Sequence, residues 1–321
     1  MSELNSTPNE NKETNIKMKN TKIAPLLTAV VLVLLILTTF LDREILQFQD
    51  NLYLSVIILY ILVLVMPGIF YGKLKGTGYV EKLNFRLFGP NKFLFLIFIF
   101  FAMICGTMIL KLFQYGMGIY IPEVTYFDRY LPSGTLTETN ILYVILAYAV
   151  LPAVSEEFLF RGIILTEYAE GGAGQINTLF LTALLYAMSY FDFVQFPVRF
   201  VIGLVFAMVV FVTQNLVASM ALHTLYNLFI IYTENYMMRL AAQTGNLLMY
   251  IVIMLTCVLI FTIFAFGSAE KIYYRYSLEK LDVPYMTSEG SSMKRFAEAG
   301  LSPSFLTCLG LFFLAAIMLK T

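Results

Sequence analysis

Nine apolar runs alternate with polar segments along the 321 residues of the chain. Six of these runs contain 18 residues or more, which is about the length that an α-helix needs to cross a bilayer. Three central runs are slightly shorter and are separated by weak breaks. The pattern predicts an all-α fold, a polytopic transmembrane helical bundle of about eight to nine spans. The runs cover residues 23–40, 52–71, 93–113, 140–165, 176–190, 198–213, 216–232, 246–266 and 301–319.

The composition also indicates an integral membrane protein. Hydrophobic residues make up 59% of the chain and charged residues 13%, with a mean hydropathy of +0.78, whereas soluble domains are about 25% charged. The formal net charge is zero, so no basic surface predicts nucleic acid binding. Cys105, Cys257 and Cys308 lie in apolar runs without the spacing of a disulfide framework or metal site, and we expect them to be buried small hydrophobes.

Lysine and arginine are distributed unevenly among the polar segments. Segments 1–22, 72–92 and 268–300 carry four, five and five of these residues, and nine alternating spans place all three segments on one side. Because such residues accumulate in cytoplasmic loops, the N-terminus is predicted to be cytoplasmic. We divide the chain into a disordered cytoplasmic N-terminal tail (1–22), N-terminal membrane helices and loops (23–139), a central core (140–235), and C-terminal membrane helices (236–321) that include the charged cytoplasmic segment 268–300.

Three ionisable side chains interrupt the fourth apolar run. They are Glu156, Glu157 and Arg161, and each charge at the centre of a membrane helix costs roughly 2.5–3.5 kcal/mol. Glu157 and Arg161 are four residues apart, so they share a helix face and can pair. Glu156 points about 100° away around the same helix. One interpretation is a helix end whose charges lie in water, and the other is a polar site inside the membrane.

The seventh run holds a second polar pair, His223 and Asn227, which are also four residues apart. On its own this pair is typical of a hydrogen bond between membrane helices. His223 is the single histidine of the chain, which excludes a His-Glu-x-x-His zinc site. No cofactor is certain, and a divalent metal held by the two carboxylates, His223 and Asn227 stays an open alternative.

Together these residues resemble a known family. The pattern Glu156-Glu157-x-x-x-Arg161, followed by glycine, resembles motif one of the CAAX protease and bacteriocin-processing (CPBP, or Abi) family of intramembrane proteases, and His223-x-x-x-Asn227 resembles its third motif. The resemblance implies that Glu156 is the general base for water, that Glu157 and Arg161 brace the site, and that His223 and Asn227 stabilise an oxyanion. It also implies a peptide or protein substrate at the lipid bilayer and a location in a bacterial plasma membrane.

The family's second motif, Phe-x-x-x-His, is altered in this chain. The matching residues are Tyr186 and Tyr190, so a phenol stands where the family has an imidazole. A phenol is a poor proton acceptor near neutral pH, although it can orient a water or donate a hydrogen bond. Asp192 is a second candidate substitute if the chain turns back after the helix ends, and the alternative for Asp192 is a turn residue at the membrane interface.

Two functions fit these motifs. The first is an intramembrane endopeptidase that hydrolyses membrane-proximal or lipidated peptides with a water activated by Glu156. The second is a catalytically inactive relative that binds such peptides, confers bacteriocin immunity or assists secretion. A transporter whose charges line a pathway is a third interpretation, but no internal repeat supports it. The sequence does not indicate the oligomeric state.

Overall fold

The computed structural model of the protein describes residues 23–41, 57, 59–76, 79, 83, 85, 87–119, 141–279 and 293–318. Within these ranges the chain is 89% helical and has no strand, which confirms the all-α prediction. The predicted N-terminal tail, the segment 120–140 and the part of the charged segment from 280 to 292 lie outside the described residues.

Eleven helices make up the described part of the chain, and each of the nine apolar runs overlaps one of them in its described residues. The helices are α1 (Ile23–Leu41), α2 (Tyr60–Val65 continuing as Met66–Lys75), α3 (Phe93–Gly116), α4 (Ile141–Glu170), α5 (Gln175–Met188), α6 (Phe196–Thr213), α7 (Leu216–Glu234), α8 (Asn235–Thr244), α9 (Leu247–Glu279), α10 (Met293–Gly300) and α11 (Pro303–Met318).

Five of the described helices are long and apolar enough to cross a membrane, namely α3, α4, α6, α7 and α9. Helices α10 and α11 meet at an angle of 62° and together would form a sixth span. The apolar parts of α1 and α5 are shorter. The fold is therefore a helical membrane bundle, and the count of eight to nine complete crossings stays a prediction.

Helix α4 carries the paired glutamates and has two irregular stretches. Its backbone is π-helical at Ile145–Val150 and again at Phe158–Ile164, with a short regular α-helical stretch, Leu151–Glu157, between them. Pro152 lies at the start of that stretch and cannot donate a backbone hydrogen bond. Such π-helical turns are frequent at functional sites. The two glutamates thus lie at the end of a regular segment between two altered ones.

The break between α6 and α7 is complete, although the sequence there is only weakly polar. Gln214 ends α6 in a left-handed backbone conformation, with φ of 50°. Asn215 then caps α7, because its side-chain oxygen accepts a hydrogen bond from the backbone nitrogen of Ala218 at 2.9 Å. The two helices pack against each other, and α7 also packs against α4 while α5 packs against α6.

Helix α9 lies on the outside of this core. Its most apolar window has no residue buried within the described structure, and it packs along α3 through stacked phenylalanine rings. An apolar helix that exposes its surface in this way is typical of contact with lipid. A buried ion pair joins α3 to α7. Nζ of Lys111 on α3 lies 2.6 Å from Oε2 of Glu234 at the end of α7.

Candidate active site

The polar residues singled out in the sequence gather between α4, α5 and α7. Glu156, Glu157 and Arg161 come from α4, His223 comes from α7, and Tyr190 lies just after α5. All but Tyr190 are nearly inaccessible, with 4%, 0%, 0% and 2% of their surfaces exposed in that order. The charges of α4 are therefore inside the protein, which rules out the interpretation of a helix end in water.

Glu157 is the acceptor at the centre of the cluster. Its Oε1 accepts hydrogen bonds from Nη1 of Arg161 at 2.9 Å and from Nδ1 of His223 at 3.0 Å. Its Oε2 accepts from the hydroxyl of Ser219 at 2.5 Å. Three donors around one buried carboxylate satisfy the rule that an interior charge is kept only when it is paired and hydrogen-bonded. Glu157 thus connects α4 with α7.

Arg161 contacts two other helices, α5 and α6, and two aromatic rings. In addition to the pair with Glu157, its Nη2 donates to the backbone oxygen of Gly203 on α6 at 3.0 Å. Its guanidinium lies 4.3 Å from the ring centre of Tyr186 and 5.3 Å from that of Phe206. A cation over a desolvated aromatic face is stabilised by about 2 kcal/mol or more. The bracing role that the family resemblance implied for Arg161 fits these contacts.

Gly203 makes the approach of α6 to α5 possible. A Cβ atom at this position would lie 3.0 Å from Cδ1 of Tyr186 and 3.2 Å from Cα of Ala183. Both distances are shorter than ordinary van der Waals contact, so a side chain here would push the helices apart. The close approach brings the backbone oxygen of Gly203 within reach of Arg161.

The imidazole of His223 is oriented by its neighbours. An ionised carboxylate only accepts hydrogen bonds, so the contact with Glu157 places a proton on Nδ1. The ring stacks on Phe206 with centres 4.4 Å apart and planes 26° apart. In the neutral imidazole, Nε2 then carries a lone pair, and it lies 3.8 Å from Oε2 of Glu156. That distance is too long for a direct hydrogen bond, but a water oxygen can lie about 2.8 Å from each atom.

Glu156 is bound to the altered second motif. The hydroxyl of Tyr190 donates to its Oε2 at 2.7 Å. The same hydroxyl lies 3.0 Å from the hydroxyl of Tyr186, so the two tyrosines form a chain that ends on the carboxylate. Tyr190 therefore occupies a place next to the candidate base, where a substitute for the missing imidazole is needed.

The other two nominated residues make contacts of a different kind. Asn227 donates from Nδ2 to the backbone oxygen of Ala149 at 3.1 Å, which joins α7 to α4 and uses one of its two amide hydrogens. Asp192 accepts hydrogen bonds from the backbone nitrogens of Val194 and Gln195 at 2.7 and 3.1 Å. Asp192 is thus a turn residue that leads into α6, as its alternative interpretation expected, and its Oδ1 is bonded to the backbone of its own turn.

The arrangement of these side chains gives limited support for a bound metal ion. Among the described residues, no three histidine, cysteine, aspartate or glutamate side chains are grouped so that they could hold a metal ion. The carboxylate of Glu157 is taken up by Arg161, Ser219 and His223. Glu156 and Nε2 of His223 are the two remaining candidate ligand groups that face each other.

Sequence reasoning missed several residues of the site, namely Ser219, Phe206, Gly203 and Arg199. Ser219 lies four residues before His223, so a search for polar residues on the histidine's helix face would have found it. Arg199 is the single charge in the sixth apolar run, and the same rule that singled out Arg161 applies to it. Phe206 and Gly203 carry no such signal, because apolar residues and glycine are common throughout these helices.

An apolar groove of about 660 Å³ lies beside the cluster, between α2 and the other face of α4. Phe158, which directly follows Glu157, and Met220, which directly follows Ser219, contribute to its wall. Gly68 of α2 allows the close approach here, because a Cβ atom would lie 2.7 Å from the ring of Phe158. The remaining lining residues are Val65, Ile69, Gly72, Lys73, Gly76, Tyr79, Leu83, Phe85, Val154 and Ile163.

One end of the groove is polar. Glu167 of α4 accepts hydrogen bonds from the hydroxyl of Tyr79 at 2.9 Å and from Nζ of Lys75 at 2.8 Å. Burial and the negative charge of Glu167 raise the pKa of Tyr79 above its usual range, so the phenol stays a donor. Lys73, which lines the groove, is exposed. The groove therefore combines a largely apolar wall with one lysine, Lys73, among its lining residues.

Comparison with known proteins identifies the segment that carries the cluster. Residues 138–229 match the family described as type II CAAX prenyl endopeptidase Rce1-like. The match includes Glu156, Glu157, Arg161, Tyr190 and His223, together with the remaining residues of the cluster. Comparisons with curated proteins and with solved structures gave no match.

Proposed function

We propose, on the premise that residues 138–229 form an Rce1-like CAAX prenyl endopeptidase domain of the CPBP family, that this membrane protein is an intramembrane endopeptidase in which Glu156 activates a water. The observation that supports this most is the gap of 3.8 Å between Oε2 of Glu156 and Nε2 of His223. Both groups accept hydrogen bonds, and a water to one side of the line that joins the two atoms can lie about 2.8 Å from each.

Water attack is the first step of the proposed reaction. The water donates one hydrogen to Glu156 and the other to Nε2 of His223, which directs its free electron pair toward the substrate carbonyl. As the new carbon–oxygen bond forms, Glu156 takes the proton. Glu157 keeps the imidazole in the required tautomer, because its Oε1 accepts from Nδ1 at 3.0 Å. General base catalysis of this kind contributes about 10²- to 10⁴-fold.

Stabilisation of the oxyanion then falls to donors beside the base. The family resemblance assigns this role to His223 and Asn227, and Asn227 has a second amide hydrogen besides the one that Ala149 accepts. With Nδ1 protonated and Nε2 as acceptor, His223 has no second proton to donate before the attack. The hydroxyl of Tyr190 is released as a donor once Glu156 has become neutral. In the last step Glu156 passes its proton to the leaving nitrogen as the carbon–nitrogen bond breaks.

The proposed substrate is a peptide at the membrane that carries or adjoins a hydrocarbon chain. The apolar groove supports this proposal, because its wall includes the residues that directly follow Glu157 and Ser219. Lys73 in the wall of the groove suits an anionic group on the same substrate. The cytoplasmic N-terminus and the bacterial plasma membrane remain part of the proposal, on the basis of the lysine and arginine count and the family resemblance.

One observation favours a second function. Oε2 of Glu156, the candidate base atom, already accepts a hydrogen bond from Tyr190 at 2.7 Å. A site whose groups satisfy one another in this way can hold its helices together without performing any reaction. The second candidate is therefore an inactive member of the family that binds membrane peptides, with roles such as immunity or secretion.

Incubation of the purified, detergent-solubilised protein with a library of membrane-proximal peptides, with and without a lipid chain, separates the two functions. Mass spectrometry of the products would show new termini for the wild type and none for Glu156→Gln, which keeps the shape and the acceptor oxygen of the side chain. Peptides that are retained intact by both proteins would favour the binding function instead.

A further inference from the structure

Arg199 is a buried cation that the family motifs do not include. It lies in the first turns of α6, where its backbone nitrogen donates to the oxygen of Gln195 at 2.9 Å. Only 4% of its surface is exposed. A buried guanidinium in a membrane helix is costly and is retained when protein groups around it compensate for lost water. The contacts of Arg199 should therefore compensate for the cost of burying its charge.

The guanidinium of Arg199 lies over the ring of the altered second motif. Its central carbon is 4.1 Å from the ring centre of Tyr190, and that tyrosine donates to Oε2 of Glu156 at 2.7 Å. Arginine suits this contact because its guanidinium is planar, stacks on aromatic faces and is weakly hydrated. The three groups form a series of cation, phenol and carboxylate, with the phenol in the middle.

A guanidinium also lies over the other tyrosine of the cluster. Arg161 stacks on Tyr186 at 4.3 Å and pairs directly with Glu157. Each of the two tyrosines thus has a guanidinium on one face. The rings of Tyr186 and Tyr190 also meet edge to face, with centres 5.4 Å apart and planes 72° apart. Contact on a face and on an edge leaves the Tyr190 ring little freedom to turn.

We infer that Arg199 is the positioning residue that holds the hydroxyl of Tyr190 on Glu156. This inference rests on the proposed function. An imidazole at this place would need no such support from α6 to orient a water, whereas a phenol has one polar atom at the end of a long ring. A small rotation of the ring moves that atom away from the carboxylate. Arg199 acts on the reaction through Tyr190 and does not touch the reacting atoms.

Two measurements test this inference, and the first does not depend on any activity. A 3-fluorotyrosine placed at position 190 reports the environment of the ring by fluorine NMR. The wild type is expected to give one narrow resonance, and Arg199→Met is expected to broaden or split it because the ring loses its stacked neighbour. Arg275→Met, which removes an exposed arginine on α9, should leave the resonance unchanged. An unchanged resonance in Arg199→Met would overturn the inference.

The second measurement uses peptide cleavage and a double-variant cycle. Arg199→Met should lower kcat roughly 10-fold with little change in KM, the effect of losing about one hydrogen bond. In a Tyr190→Phe background the ring remains but the hydroxyl is gone, so Arg199→Met should cause little further loss. An equal loss in both backgrounds would mean a structural role and would contradict the inference. If no variant cleaves any peptide, the proposed function fails while the NMR result still decides the role of Arg199.

Arg199→Lys covers the case in which Arg199→Met does not fold. Lysine keeps the positive charge but not the planar stacking surface. The inference predicts a broadened fluorine resonance and a kcat between those of the wild type and Tyr190→Phe. A narrow resonance at the wild-type position together with full kcat would show that charge alone, and not the stacked guanidinium, is required.

Discussion

Oε1 of Glu157 accepts a hydrogen bond from Nδ1 of His223 at 3.0 Å, and this contact leaves Nε2 of the same ring facing Glu156 at 3.8 Å. The two adjacent glutamates of α4 therefore have different tasks. Glu157 is enclosed by Arg161, Ser219 and His223, while Glu156 faces the gap that a water can fill. The predictions below follow from this division.

Removal of Glu157 should destabilise the fold more than removal of Glu156. Glu157→Ala leaves the guanidinium of Arg161 buried without its carboxylate, which costs about 3–5 kcal/mol. Glu156→Ala removes a group that accepts a hydrogen bond from Tyr190 and lies farther from His223. Thermal unfolding in detergent should therefore give a lower melting temperature for Glu157→Ala.

The double variant Glu157→Leu with Arg161→Met provides the control for this prediction. It removes both charges, so it should be more stable than either single variant. Equal melting temperatures for Glu157→Ala and Glu156→Ala would contradict the central place of Glu157.

Ser219→Ala should be destabilising, although serine is small. Its hydroxyl donates to the buried carboxylate of Glu157, and a hydrogen bond to a charged group contributes about 1.5–3 kcal/mol. Ser155→Ala is a matched control, because Ser155 is equally buried and its hydroxyl has no hydrogen-bond partner among the described residues. The control should be neutral or slightly stabilising. A greater loss of stability in Ser155→Ala than in Ser219→Ala would be the opposite of what the structure indicates.

Tyr190→Phe should lower kcat by roughly 10-fold or more. It removes the donor that Glu156 accepts, which is a hydrogen bond to a charged group and so is expected to contribute about 1.5–3 kcal/mol. Tyr186→Phe removes only the neutral contact between the two hydroxyls and should cost less. Tyr190→His restores the histidine of the family's second motif and should retain or raise activity. A Tyr190→Phe variant as active as the wild type would remove Tyr190 from the mechanism.

Gly203→Ala should weaken both folding and activity. The added methyl group would meet Tyr186 and Ala183 at 3.0–3.3 Å, and overpacking of this kind costs about 1–3 kcal/mol. It would also move the backbone oxygen that Arg161 binds. Gly267→Ala on α9 is the control, since its Cβ atom would meet nothing within 4 Å. Similar melting temperatures for the two variants would show that α5 and α6 can separate without cost.

The sequence predicted the helices well, because apolar runs of membrane length leave few alternatives in lipid. It also predicted that Glu157 would pair with Arg161, since residues four apart on a helix are neighbours. The number of membrane crossings is harder to predict from the sequence. Helices such as α1 and α5 are short, and α10 and α11 are bent, so length alone does not decide whether they cross.

Rules based on spacing within one helix could not predict the contacts between helices. The sequence did not indicate which group contacts Glu156, whereas the structure gives it a hydrogen bond from Tyr190, which lies just after α5. The two residues are 34 positions apart, so no rule based on neighbouring positions of one helix predicts the contact. Asn227 was expected to stabilise an oxyanion, and its placement shows one of its amide hydrogens engaged with Ala149. Its role in the reaction stays a prediction.

The most direct test of the account is the initial rate of cleavage of one membrane-anchored peptide by the wild type, Glu156→Gln and Glu270→Gln. Glu270 is an exposed carboxylate on α9 and serves as the matched control. The account predicts that Glu156→Gln loses about 10²- to 10⁴-fold in rate while its melting temperature stays close to that of the wild type, and that Glu270→Gln cleaves at the wild-type rate. Cleavage by Glu156→Gln at the wild-type rate would contradict the assignment of Glu156 as the base.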